Sequence, residues 1–344
     1  MKPIHYFAGG NTAQGFFSCF ENILPTAERK RMFYIKGGPG VGKSTLMRRA
    51  GEAAEQAGYA VEYFHCSSDP DSLDGIALPE RGLAMMDGTA PHVYDPVIPG
   101  ARDTLLSLGD FLQETALRPH VREIAHVQGE ISARFERCYH YLSAAKCVLE
   151  AARRGRENPQ KLLQVANGLC EKLPLRGGHG SVRKLFASAY TPKGLVDLLQ
   201  ALGGERTLTV ECPFGQHATG LMREISKLSA ARGLQVVELL DPLCPDEIAH
   251  VVLPAHGLAF CTGSRKKEKD GEWLDAEKLF DRIEMGEKEQ SFDRNAYELL
   301  LQRAIEQLAS AKALHDELEG FYVANMDFIK WNGVLEQVLE AIGE

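Results

Sequence analysis

The chain has 344 residues, which suits two domains of about 150 to 170 residues better than one. Hydrophobic residues at 44% and charged residues at 25% exclude a disordered, collagenous or low-complexity polymer. A formal charge of −8 argues against nucleic acid as the partner, and no apolar run approaches the roughly 18 residues of a membrane span.

Met1 to Gly10 carry no apolar signal-type core, and the eight cysteines contain no C-x-x-C pair. Both features lead us to expect reduced thiols and a cytoplasmic location. The charge is unevenly shared. Residues 1–180 hold 21 Lys and Arg against 20 Asp and Glu, and the remainder holds 18 against 27. Phosphate chemistry is therefore expected in the first half.

In chain order, Ile4 to Ala8 is a short apolar stretch leading through Thr12 into a helical pattern over Gln14 to Leu24. Met32 to Ile35 reads as a buried strand, followed by a Gly-rich turn and a helix. Ala60 to Phe64 gives a second strand and Leu83 to Met86 a third, after which roughly 101–172 is helical. The plan then recurs through Leu185 to Ala189, Gly194 to Leu202, Thr207 to Val210, Gln235 to Leu240 and Leu258 to Cys261, ending in helices over roughly 275–342.

The recurrence has a register. At a shift of 175, Leu46-Met47-Arg48 meets Leu221-Met222-Arg223, Pro70-Asp71 meets Pro245-Asp246, and Gly82-Leu83-Ala84 meets Gly257-Leu258-Ala259. At a shift of 179, Phe7-Ala8 meets Phe186-Ala187, and Thr12 and Gly15 meet Thr191 and Gly194. This reads as a tandem duplication with a seam at Arg176 to Gly180, giving domains over 1–180 and 181–344. Strands alternating with helices predict an α/β fold. It comprises two tandem domains, each a doubly wound parallel sheet with a helical extension.

Gly37-Gly38-Pro39-Gly40-Val41-Gly42-Lys43-Ser44-Thr45 satisfies G-x-x-x-x-G-K-[ST] between a predicted strand and helix. Glycines let the backbone turn its N–H groups inward onto phosphate oxygens, at the positive end of the helix dipole. In this reading residues Gly38, Pro39, Gly40, Val41, Gly42, Lys43, Ser44 and Thr45 bind ATP. Lys43 reaches the β- and γ-phosphates and Ser44 ligates Mg²⁺. The second copy keeps Gly215 but has Cys212, His217, Ala218 and Thr219 for Gly37, Gly42, Lys43 and Ser44, so it is expected not to hold a triphosphate.

Features in both copies then read as fold requirements, and those in the first alone as functional candidates. Asp87 closes the third strand where a Walker-B carboxylate would support Mg²⁺, and its counterpart is Thr262. An Asp opening a D-G turn is the alternative. Asp69 and Asp74 map to Cys244 and Ala249 and are further candidates, whereas Asp71 recurs and reads as loop structure. His65-Cys66 lacks the spaced partner pair of a metal site. His92 is a candidate sensor or base. Arg265 to Lys269 reads as a solvated basic run, Ser310-Ala311-Lys312 falls inside a helical pattern, and Arg48 and Arg223 recur and read as serving the helix. No N-K-x-D or T-K-x-D occurs, so adenine is expected over guanine.

On these motifs the chain resembles a bacterial family of tandem-duplicated P-loop NTPase proteins, described as ATP-binding or ATPase-like without an assigned pathway. The resemblance rests on Phe7 to Thr12, the loop at 37–45, Cys66 to Asp74 and Asp87 to His92. It extends through Asp95-Pro96, Pro99-Gly100 and Leu108-Gly109-Asp110, covering most of the first repeat. It implies a duplicated nucleotide-binding protein, and the departure at Cys212 to Thr219 sets the second domain apart. The expected function is a Mg²⁺-dependent ATPase. The alternatives are an ATP-dependent kinase with a small-molecule acceptor between the 65–75 loop and the helices, or a non-catalytic nucleotide-gated binding module. No Glu follows Asp87, unlike the Asp-Glu pair of many motor ATPases, which argues against fast hydrolysis.

Overall fold

The computed structural model describes residues 2–90, 93–153, 156–202, 206–263, 272–275, 279–281 and 286–343. His92 and the basic run 265–269 lie outside the described residues. The first half runs β1 (Ile4–Phe7), β2 (Gly9–Thr12), β3 (Gly15–Ser18), β4 (Arg31–Lys36), α1 (Lys43–Gln56), β5 (Glu62–His65), β6 (Leu73–Leu78), β7 (Leu83–Asp87) and β8 (Asp103–Ser107). It continues as α2 (Glu114–Leu117), the long α3 (Val121–Ala151), β9 (Arg156–Glu157) and α4 (Pro159–Cys170). The second half runs β10 (Val182–Leu185), β11 (Ser188–Thr191), β12 (Gly194–Asp197), α5 (Leu199–Leu202), β13 (Arg206–Glu211), α6 (Thr219–Ala231), β14 (Val236–Leu240), β15 (Ile248–Leu253) and β16 (Leu258–Gly263). After β17 (Glu272–Asp275) and β18 (Phe280–Asp281) come α7 (Glu287–Val323) and α8 (Phe328–Gly343).

The architecture is α/β, with two six-stranded sheets of matching order, β1-β5-β6-β7-β4-β8 and β10-β14-β15-β16-β13-β17. The sheets are mixed rather than wholly parallel, which corrects the sequence expectation. β6 runs antiparallel to β5 and β7, and β15 antiparallel to β14 and β16, while the other pairings are parallel. β6 escaped the sequence because Asp74-Gly75 has the composition of a turn. Gly75 is instead a close-packing position, where a Cβ would fall 2.8 Å from Ile23 Cδ1 and 3.1 Å from the Met85 carbonyl oxygen.

A second correction concerns 14–24 and 194–202. These segments open with strands, not helices, because Gly15 and Gly194 adopt φ of +94° and +101° in tight hairpins. Thr12 Oγ1 and Thr191 Oγ1 donate to the carbonyls of Gly15 and Gly194, both at 2.9 Å. The hairpins join in a four-stranded sheet, β12-β11-β2-β3, that ties the halves together. Its contacts are reciprocal. Phe7 and Phe186 exchange backbone hydrogen bonds at 3.0 Å, Gln14 meets Asp246, and Lys193 meets Asp71. Arg48 and Arg223 donate to the carbonyls of Asp71 and Asp246.

The helices cross over between the halves. α4 packs on α6 and α8 packs on α1, so each half's terminal helix covers the other half's loop helix. Between them α3 and α7 lie side by side around Cys138, Leu142, Ala145, Ala304 and Leu308, with Tyr190 and Leu243 beneath. At roughly 1.5 Å per residue, these helices of 31 and 37 residues extend about 45 to 55 Å. No described helix is long and apolar enough to cross a membrane.

Candidate functional site

The loop at 37–45 leaves the carboxyl end of the buried strand β4 and opens α1, the strand-to-helix context its residue pattern calls for. Gly40 and Gly42 hold φ of +70° and +86°, backbone that a side chain would strain, and Gly42 is the N-cap of α1. Among the described residues, the N–H groups of Gly38, Gly40, Val41, Gly42, Lys43, Ser44 and Thr45 donate to no protein acceptor. Seven consecutive donors (Pro39 has none to offer) are thus left for something other than the chain. Lys43 Nζ donates to the carbonyls of Gly37 and Gly38 at 2.7 and 2.9 Å and lies 3.5 Å from Asp87 Oδ2.

Asp87 does two things. Oδ2 faces Lys43, and Oδ1 accepts from Thr89 N–H at 2.8 Å, so Asp87 both closes the turn and stands beside the loop lysine. Thr89 Oγ1 donates to the Gly37 carbonyl at 3.0 Å and accepts from its N–H, fixing the 87–89 turn to the start of the loop. Lys36 Nζ holds the Gly88 carbonyl at 2.7 Å and pairs with Asp95 at 2.9 Å.

Asp74 belongs here as well. The β6–β7 ladder ends at the Gly75–Met86 pair, one residue short of Asp74 and Asp87, and the β5–β6 pairing skips Asp74 at a register shift. Asp74 therefore lies at the end of the ladder, close enough to feel the charge of Asp87. Ser44 Oγ accepts from the neighbouring Leu73 N–H at 3.0 Å. Burial, then the negative Asp87, pushes the Asp74 carboxyl up to about 7. Like charges this close repel, and Lys43, 3.5 Å from Asp87, is the cation that offsets them. In the second half the equivalent ladder ends at His250 with Cys261, and Ala249 and Thr262 stand at the positions of Asp74 and Asp87. Both carboxylates are missing there together. The signal was available in the sequence only to a reader who knew that 73–78 is an antiparallel strand.

The other candidates separate. Asp69 Oδ2 accepts from Ser72 Oγ at 2.9 Å and lies 3.6 Å from Lys312 on α7, at the rim of the site. His65 is held by His5 at 2.9 Å and by the Pro70 carbonyl at 2.8 Å, and burial lowers both imidazoles. Among the described residues, His315, Asp316 and Glu319 of α7 form a metal-capable triad, although Lys312 already engages Asp316. A 370 Å³ cleft lined by Lys184, Arg223, Lys227 and Glu238 lies in the second half and includes no residue of the 37–45 loop.

The second half's turn is built differently. His217 has no positive φ, Ala218 is the N-cap, and α6 starts at Thr219. Cys212 N–H goes to the Gly263 carbonyl, as Gly37 N–H goes to Thr89. Gln216 N–H goes to Pro213 and Gly220 N–H to Glu157 Oε1 at 2.9 Å, while among the described residues the N–H groups of Gly215, His217, Ala218 and Thr219 meet no protein acceptor. A Cβ at Gly220 would lie 2.3 Å from Glu157 Oε2, so the carboxylate is seated on the first turn of α6. His217 Nδ1 lies 3.6 Å from the same group. Position 220 corresponds to Thr45, so a side-chain anion sits where the first half has unpartnered N–H groups.

Comparison with protein-family models, with curated proteins and with solved structures finds no match for the chain.

Proposed function

We propose that the chain is a tandem duplication whose first half binds a nucleoside triphosphate, ATP by preference, with Mg²⁺, and slowly hydrolyses it. One observation carries this reading. The first loop keeps seven N–H donors without protein acceptors at a helix N-terminus, while the second has its own carboxylate on the equivalent turn. The two halves serve as each other's control: the second lacks the counterparts of Lys43, Asp74 and Asp87 and carries Glu157 on the turn that corresponds to Thr45.

The residues fit both groups. The N–H groups of 38–45 would hold phosphate oxygens, with Lys43 leaving the Gly37 and Gly38 carbonyls to meet them. Ser44, Asp87 and Asp74 offer hard oxygen donors for Mg²⁺, which would neutralise charge on the phosphates. In this arrangement Asp87 holds Lys43 toward the loop, and Thr89 holds Asp87. Asp74, at the end of the neighbouring strand β6, gives the site a second carboxylate in place of the absent Glu after Asp87. The resemblance to tandem P-loop proteins points the same way.

The test is calorimetric titration of Mg·ATP into wild type and Lys43→Ala, with phosphate release followed with and without a metabolite pool. Loss of one charge-assisted contact, about 1.5 to 3 kcal/mol, is expected to weaken binding roughly ten- to a hundred-fold. Equal affinities would falsify the assignment. Steady phosphate release without the pool identifies an ATPase, and release that requires the pool identifies a kinase.

A further inference from the structure

The segment lying over the 37–45 loop comes from the far end of the chain. The last turns of α7 and the first of α8 form an elbow, 319–331, seated on the loop's glycines. A Cβ at Gly38 would lie 3.2 Å from the Tyr322 ring, and one at Gly42 2.9 Å from Trp331 Nε1. At Gly40 it would lie 2.7 Å from Val323 Cγ2 and 3.2 Å from the Glu319 carbonyl oxygen.

This seat opposes a bound polyanion. The carboxyl end of a long helix carries about half a negative charge, and Glu319 adds a carboxylate on the same turn. Both approach a loop whose N–H groups are set for an anion. The elbow is also incompletely satisfied where it sits. The Trp331 indole N–H is buried, with the residue 4% exposed, and has no acceptor, while Val323, Phe328 and Ile329 are exposed.

We propose that the elbow is a nucleotide-sensitive strap, docked on the loop in competition with the triphosphate and displaced when Mg·ATP binds. This rests on the nucleotide reading of the same site. α7 carries the displacement onward, because its amino-terminal part packs on the second half's loop. Tyr297 stacks near Phe214 at 5.4 Å between centroids, and Arg294 lies over the same ring. Linkage makes the effect reciprocal: a strap that the nucleotide displaces must itself weaken nucleotide binding.

The chain has two tryptophans, so Trp273→Phe leaves Trp331 as the sole indole reporter. Mg·ATP is titrated into this variant by calorimetry and by fluorescence, with amide exchange followed over 315–331 in the wild-type chain. We expect Trp331 emission to change over the concentration range that gives heat, and exchange at the elbow to quicken. Tyr322→Ala combined with Val323→Ala is expected to tighten Mg·ATP binding about five-fold or more. Heat with unaltered emission and exchange, slower exchange, or wild-type affinity in the double variant overturns the strap while leaving the nucleotide site standing. Absence of heat in every form overturns the nucleotide reading and the strap with it.

Discussion

Asp74→Asn is expected to raise stability while lowering nucleotide-dependent turnover. The carboxyl is buried, and in the folded chain it is pushed from 3.8 to about 7 by burial and by Asp87. Because the folded value is the higher one, the favourable protonated form is fully present below about pH 4, and its contribution is lost as pH rises through about 7. That gap corresponds to at most roughly 4 kcal/mol. Asn keeps the shape, stays neutral at every pH and relieves the repulsion with Asp87. Allowing for the acceptor it loses, about 1 to 3 kcal/mol of added stability is expected at pH 8, shrinking toward zero near pH 4. Urea unfolding of metal-free protein at both pH values measures this, alongside phosphate release. An Asn variant no more stable than wild type at pH 8 would refute the carboxylate-repulsion argument. A variant that gained stability and kept full turnover would remove Asp74 from the site.

Asp87→Asn is expected to weaken Mg²⁺-dependent turnover more than metal-free nucleotide binding; unchanged turnover at limiting Mg²⁺ would assign Asp87 to the Thr89 turn alone. Glu157→Gln removes a charge from the first turn of α6 and is expected to cost about 0.5 to 1 kcal/mol in urea unfolding, without altering ATP affinity. Unchanged unfolding would show that the carboxylate contributes nothing to the second loop. Titration is expected to give one ATP per chain, and a stoichiometry near two would contradict the closed second loop.

The parts legible in the sequence are those set by local chemistry. The loop at 37–45 declares itself because its turn needs Gly at positive φ, and Gly40 and Gly42 take that backbone. The strands β4, β5 and β7 announce themselves as apolar runs. What was illegible depended on long-range pairing. β6 looked like a turn because its Asp and Gly lie near a carboxylate and in a tight seat that only the pairing with β7 supplies. The hairpins at Gly15 and Gly194 were lost to a helical period over residues that pair across the halves. Nothing local tells Trp331 that it will lie beside Gly42, nearly 290 residues away, or Glu157 that it will meet Gly220. Such contacts follow from the exchange of helices between the halves.

On the proposed duplication, that exchange also bears on why the second half lacks counterparts of Lys43, Gly42, Asp74 and Asp87. If α4 and α8 each covered their own half, a degenerate copy would be dispensable to the first site. Here α8 covers α1, and α7 reaches the first loop only after starting beside the second. If the proposed strap responds to nucleotide, the second half is the anchor from which it is held, and an anchor works best when it does not itself respond. Glu157 meets that need. A carboxylate already seated on Gly220 gives α6 an anion that cannot dissociate, so the turn is fixed whatever the nucleotide supply. Loss of Lys43 chemistry and the seated carboxylate of Glu157 are then two sides of one arrangement. On the proposed reading one half would exchange its anion with solvent, while the other keeps its own carboxylate on Gly220.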